Sequence, residues 1–152
     1  FPLAGVVGKS DLMKEFGKLT SYFNTFGGNP VAAAVGLTVL KIIREEHLME
    51  NALEVGNYMQ ANLQTLTKKY DILGDVKGHG LFIGADFVKD RASKAPAASA
   101  THQVVNSMKE RGVLISQTGR DDNILKIRPP MTFSRNNADF LLQTLGDCLD
   151  KL

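Results

Sequence analysis

The run NPVAAAVGLTVLKII, from Asn29 to Ile43, constrains this chain more than any other stretch. Asn29 is a good N-cap, because its side-chain oxygen can accept from the free N–H groups of a first helical turn. Pro30 suits the first helical position, where a missing N–H costs nothing. The pattern predicts a helix over about 30–46. Val31 to Val35, then Leu37, Val39, Leu40, Ile42 and Ile43, leave almost no polar face before Lys41, so this helix should be buried nearly all round. A larger partner would supply that cover more easily than a domain of 152 residues. The apolar run is too short to span a bilayer and is broken by Gly36, Thr38 and Lys41, so no membrane segment is expected.

With 43% hydrophobic and 22% charged residues, the chain has enough apolar material for a core and reads as soluble and globular. Its 18 basic residues against 16 acidic ones are scattered, which leaves no electrostatic footprint for nucleic acid. The single cysteine, Cys148, excludes an internal disulfide and falls at helical spacing between Leu145 and Leu149, as a small buried apolar residue would. The amino terminus, FPLAGVVGKS, opens without Met and without the charged region of a signal peptide, and reads as the continuation of something longer. The expected compartment is the cytoplasm, with an organelle left open.

Leu3 to Val7, bounded by Pro2 and Gly8, suggests a buried strand, after which Ser10 and Asp11 can cap a short helix through about Phe16. From Leu48 the spacing Leu48, Ala52, Val55, Met59, Leu63, Leu66 describes an amphipathic surface helix ending near Tyr70. Gly74, Gly78, Gly80 and Gly84 punctuate the next segment, Leu81 to Val88 reads as a strand, and KDRASKAPAASA as a polar loop. A helix carrying Val104, Val105 and Met108 stops at Gly112. Val113 to Ser116 and Ile124 to Arg128 are short strands around the turn-rich QTGRDDN. Pro129-Pro130 ends the second strand, and Ser134 opens a last helix with Ala138, Leu141, Leu142, Leu145 and Leu149 on one face. Residues 71–152 thus form a small α+β unit.

Few motifs carry chemistry. GHGLFIG, residues 78 to 84, begins like a dinucleotide fingerprint, but its third glycine comes one residue late and a strand follows where a helix should, so a tight turn feeding a strand is the better reading. His47, His79 and His102 lie far apart without cysteine or carboxylate at ligand spacing, so no metal site is expected; His79, between two glycines, is the one that could line a cleft. NTFGGNP, residues 24 to 30, is more informative. A hydroxyl at Thr25, two glycines and a helix start could cradle a phosphate, although a glycine turn whose Asn29 merely caps its own helix explains the same residues and is favoured by them alone. Taken by residues alone, the chain could also be a stand-alone α+β interaction module.

FPLAGVV, NTFGGNPVAAAVGLTVLKIIREEHLMENALEVGNYM, GDVKGHGLFIGADFV and NILKIRPPMTFS occur in this order. Together they resemble the carboxyl-terminal part of the class III, pyridoxal-phosphate-dependent aminotransferases, over nearly the whole chain. The resemblance implies a fold-type I enzyme with active sites shared between two subunits of a homodimer. It assigns residues 1–46 to the tail of the large α/β domain and its connecting helix, 47–70 to an amphipathic helix leading onward, and 71–152 to the small carboxyl-terminal α+β domain. It further implies that Thr25 binds the cofactor phosphate of the neighbouring subunit through hydroxyl and backbone N–H, with Asn24 close by.

The family's Schiff-base lysine lies a few residues ahead of the segment matching Phe1, and Lys9 and Lys14 are misplaced to substitute for it. The resemblance therefore implies no catalytic nucleophile within this chain and no activity of the chain alone. Where many members carry an arginine for the substrate's α-carboxylate, this sequence has Lys126, with Arg128 two residues later; a lysine cannot offer bidentate geometry. LKIRPPM, NTFGGNPV and GLFIGADFVKDR are closest to a branch that contains phospho-lyases of phosphoethanolamine and phosphohydroxylysine. The implied substrates are thus an amine or amino acid with a keto acid or, alternatively, an amino-alcohol phosphate.

Overall fold

The Asn29 side-chain oxygen accepts hydrogen bonds from the Val31 and Ala32 N–H groups at 2.9 and 3.1 Å, and so opens helix α2, Pro30–Glu45. This computed structural model describes residues 2–152. The chain divides into two units, Phe1–Glu46 and His47–Leu152.

The first unit contains α2 and a shorter helix α1, Ser10–Leu19. The expected N-cap at Ser10 or Asp11 is not used: Lys9 stands at the cap without a side-chain hydrogen bond, and Asp11 instead faces Lys14 at 3.8 Å on the exposed surface. The helix also runs past Phe16, and Thr20 N–H closes it on the Phe16 carbonyl. The strand expected over Leu3–Val7 is absent, and Val6 and Val7 are 83% and 102% exposed. A strand needs a neighbouring edge for its N–H and C=O groups, and this unit offers only helices. The expectation that α2 is buried all round is also corrected. Ala32 is its one buried residue, while Leu37 and Leu40 are 70% and 66% exposed. The cap and the helix-forming sequence specify α2, but one short companion helix cannot cover an apolar surface on every side.

The second unit is a mixed α/β sandwich. It opens with α3, Leu48–Lys69, which buries Val55, Gly56, Met59, Leu63 and Thr67, close to the stripe its spacing predicts. Strand β1, Leu73–His79, was not anticipated, since Gly74, Gly78, Asp75 and Lys77 mask its alternation. It forms because it pairs antiparallel with β2, Phe82–Asp90, down to His79 opposite Phe82. Two residues join them: Gly80 at φ +53 followed by Leu81, the arrangement of a type II′ hairpin turn. GHGLFIG is therefore a turn feeding a strand.

The expected polar loop is shorter than its sequence suggests. It contains a two-residue strand β3, Ala95–Pro96, paired with β2, and the start of α4, Ala98–Glu110. Arg91 accounts for part of this order: its guanidinium donates to the carbonyls of Thr67, Tyr70, Asp71 and Leu73, where α3 ends. After α4, Gly112 at φ +85 donates to the Lys109 carbonyl and Val113 N–H to the Met108 carbonyl, the paired bonds of a Schellman stop. The strand expected over Val113–Ser116 lies later, as β4, Ser116–Thr118. Its partner β5, Ile124–Ile127, ends before Pro129, so only residues 116 to 118 find a ladder, and Val113 turns into the core. Ser134 caps α5, Arg135–Leu149, by accepting from Asn137 N–H at 3.2 Å.

The antiparallel sheet has the order β1-β2-β5-β4. Val76, Ile83, Ala85, Phe87, Leu125 and Ile127 are buried beneath α3 and α4, against which α5 packs. The alternate residues Lys77, Phe82, Gly84, Asp86 and Lys126 are exposed or half-buried on the other face. Among the described residues no helix is long and apolar enough to cross a membrane.

Candidate functional site

The sequence-predicted residues fall in both units. In the first, residues 25 to 28 form a turn between two bends of hydrogen bonding. Asn24 Oδ1 accepts from Phe26 N–H at 3.0 Å, its carbonyl accepts from Gly27 N–H at 3.3 Å, and its amide donates to the Tyr22 hydroxyl at 3.1 Å. Asn24 thus shapes the turn with both ends of its side chain. Asn29 N–H closes on the Phe26 carbonyl at 3.2 Å, and its side chain occupies the Val31 and Ala32 N–H groups. The helix start is therefore largely spoken for. Left over among the described residues are three donors on one exposed turn: the Thr25 hydroxyl, the Thr25 N–H and the Gly28 N–H, none of which has a hydrogen-bond partner. At Gly28 a Cβ would meet nothing within 4 Å, so the backbone there is open to close approach.

In the second unit, Lys126 and Arg128 stand two residues apart and so project from the same side of the sheet, away from the buried Leu125 and Ile127. Lys126 is flanked in register by Gly84 on β2 and Ser116 on β4. Both neighbours are small, which leaves the ammonium room on the bare face. No carboxylate among the described residues pairs with either cation, whereas the nearby Lys77 is held by Asp86 at 2.6 Å. Lys126 and Arg128 also form one wall of a cleft of about 840 Å³, whose other walls include Ser116, Pro129, Phe133 and Phe140.

Two contributors to this region were not visible in the sequence. Asn51, near the start of α3, donates through its amide to the carbonyls of Met131 at 2.8 Å and Phe133 at 3.1 Å, fixing the turn that follows Pro129-Pro130. Phe82 lies under the Arg128 guanidinium, whose carbon is 3.9 Å from the ring centroid. Asn51 gave no signal because its partners are distant in sequence; Phe82 gave a faint one, as a large apolar residue on the solvent side of a strand's alternation.

The remaining candidates do not converge. His79 is exposed at the end of β1, His47 sits in the left-handed region before α3, and His102 Nε2 lies 3.0 Å from the Asn106 amide on α4. Among the described residues no three His, Cys, Asp or Glu side chains are grouped to hold a metal ion. Cys148 is 3% exposed, and burial pushes its thiol up in pKa, which suits a core residue rather than a nucleophile.

Against known proteins, the chain matches the family model "Aminotransferase class-III" over residues 1–149. It is 44% identical over 154 aligned positions to alanine–glyoxylate aminotransferase 2 homolog 2, mitochondrial, of Arabidopsis thaliana, which covers all of this chain and 32% of that protein. The chain therefore spans about a third of that relative's length. Among solved structures, it is similar to a phospholyase from Arthrobacter in complex with phosphoethanolamine: 43% identity, a TM-score of 0.87, and coverage of 94% of this chain and 34% of that one. An amine transaminase from an uncultivated Pseudomonas species, in its PLP-bound form, matches at 29% identity and a TM-score of 0.79, covering 90% of this chain and 31% of that one. The mixed helix-and-sheet architecture is thus the fold of these enzymes over the aligned third. The chain belongs to the class-III aminotransferases, a pyridoxal-phosphate-dependent family.

Proposed function

We propose that this chain is the carboxyl-terminal part of a pyridoxal-phosphate-dependent enzyme that transfers an amino group between an amine or amino acid and a keto acid. The family match over residues 1–149 carries this reading. In it, residues 1–46 are the tail of the cofactor-binding large domain and its connecting helix, 47–70 lead onward, and 71–152 form the small domain. In this reading the active sites are shared between two subunits of a homodimer.

The three unpartnered donors around Thr25 and Gly28 fit a phosphate monoester: they are two backbone N–H groups and a hydroxyl, on a turn with room for close approach. Thr25 would hold the cofactor phosphate through its hydroxyl and N–H, on behalf of the neighbouring subunit's site. Asn24 would act by keeping the turn in shape, since its own polar atoms are already bonded. When bound, the cofactor supplies the electron sink that makes a C–H bond beside the substrate nitrogen acidic. Lys126 and Arg128 would take the substrate's acidic group and orient that bond, their charges left available by the lack of a carboxylate partner. The covalent lysine belongs to sequence outside these 152 residues, so the chain alone should not turn over.

A phospho-lyase acting on an amino-alcohol phosphate is the second reading. It is favoured by the likeness to the Arthrobacter phospholyase bound to phosphoethanolamine and by the two unpaired cations, which suit a dianion. For compartment, the name of the Arabidopsis relative sets mitochondria beside the cytoplasm.

The complete enzyme should retain covalently bound cofactor after borohydride reduction, and a complete enzyme that takes up none would sink the assignment. Thr25→Ala should weaken reconstitution of the apo-enzyme by about tenfold, the worth of one charge-assisted hydrogen bond. Phosphate released from phosphoethanolamine, against amino transfer to pyruvate, separates the two readings.

A further inference from the structure

We infer that Phe82 is a positioning residue for substrate binding, its ring face holding the Arg128 guanidinium ready over the bare side of the sheet. This rests on the reading of Arg128 as a substrate-binding residue. The geometry begins at the hairpin turn of Gly80 and Leu81, which makes Phe82 the first residue of β2. The ladder between β2 and β5 ends at Ile83 opposite Ile127, so Phe82 and Arg128 stand one step beyond the last pair, on the face opposite the core. There the guanidinium carbon lies 3.9 Å from the ring centroid, within cation–π range.

Phe82 does little for the core, being 59% exposed on the face where Gly84 follows it along β2 and Lys126 lies opposite Gly84 on β5. What it offers is a flat, electron-rich surface. A stacked guanidinium keeps its N–H edge directed away from the ring, and no acid among the described residues occupies that edge. An unstacked arginine would have to give up its rotamer freedom at the moment of binding; one already resting on a ring has given up part of it beforehand. Leucine at position 82 would preserve the bulk but not the face, and tyrosine would preserve both.

Two measurements test the inference. In the 152-residue chain, the Arg128 side-chain N–H proton should show an upfield ring-current shift by NMR, lost in Phe82→Leu and kept in Phe82→Tyr. In the complete enzyme the probe is phosphoethanolamine, read as KM if it is turned over and as an inhibition constant against L-alanine if it is not. Phe82→Leu should raise that constant about two- to fivefold with kcat unchanged, while Phe82→Tyr restores it. In an Arg128→Gln background, Phe82→Leu should have no additional effect. If Arg128→Gln raises the constant and Phe82→Leu does not, the role of Phe82 is overturned while that of Arg128 stands. If Arg128→Gln itself changes nothing, the substrate-binding reading falls and this inference with it. Absence of the ring-current shift, or equal losses in the Leu and Tyr variants, would assign Phe82 a role in folding alone.

Discussion

Gly56 of α3 lies directly against the backbone carbonyl of Gly80, so that a Cβ built on Gly56 would collide with that carbonyl and its neighbouring atoms. The helix seats on the tip of the β1–β2 hairpin by bare backbone. Gly80 cannot retreat without giving up its φ of +53 and with it the turn.

Gly56→Ala would gain helix propensity, by about 1 kcal/mol. The collision is with main chain rather than a flexible side chain, and overpacking of this kind costs about 1–3 kcal/mol or more. A net loss of up to about 2 kcal/mol is expected, read as a lower urea midpoint with an unchanged slope. A variant as stable as the parent would show that the hairpin can move aside.

Arg91 gives a second prediction. Four carbonyls between the last turn of α3 and the start of β1 share its guanidinium, and a planar fork can serve several acceptors where an ammonium cannot. Arg91→Ala should cost about 1–3 kcal/mol, and Arg91→Lys should recover less than half of it in the same urea titration. Full recovery by lysine would mean that charge alone matters there.

Much of this organisation was legible in the sequence, where its causes are local. Asn29-Pro30, Gly112 and Ser134 announce helix ends because caps and stops act within one turn of the residues that make them. The stripe of α3 and the face of α5 were readable for the same reason. The strand Leu73–His79 was not, since its glycines and charges conceal the alternation and only pairing with β2 reveals it. Nor were the Asn51 and Arg91 bonds, which span 80 or more and about 20 positions. At the site, Lys126 and Arg128 were visible as neighbours on a strand, but not Phe82 beneath the second of them. Local rules also overreached at Leu3–Val7, where a strand-like sequence has no edge to join.

The cluster of Tyr70, Lys69 and Asp150 ties the end of α3 to the end of α5 and gives a pH prediction. The Tyr70 hydroxyl, at 2.6 Å, and then Lys69, at 3.0 Å, hold the Asp150 carboxyl below its ordinary value of 3.8. A carboxylate with a depressed folded-state pKa contributes stability that is present above its unfolded value and lost as pH falls through the folded one. Asp90, lowered by the Ser93 backbone N–H and hydroxyl, acts in the same sense. For Lys69 the sign reverses: its pKa is raised above 10.5 by Tyr70 and then Asp150, so its contribution is full below that value and lost at higher pH. Tyr70→Phe should therefore shift acid unfolding to higher pH and alkaline unfolding to lower pH. Circular dichroism across both limbs checks it; limbs that coincide with the parent's would refute it.

The uncovered α2 should make the 152-residue chain self-associate, since Leu37 and Leu40 present contiguous apolar surface one turn apart. Leu40→Glu should reduce that association, seen as a smaller mass by light scattering at the same concentration. A parent chain that is already monomeric would contradict the prediction.

The bare face of the sheet has a consequence for how this sequence can diverge. Along β5, Leu125 and Ile127 build the fold while Lys126 and Arg128 meet the solvent side, so the two jobs are separated by the parity of position. On the proposed reading of Lys126 and Arg128 as substrate-binding residues, point changes at these two positions would alter which acidic group is recognised while leaving the packing of Leu125 and Ile127 intact. A single-residue insertion within 124–127 would exchange the two sets, turning charges into the core and aliphatics outward. On β5 the sequence can therefore drift by substitution on the bare face but not by insertion or deletion.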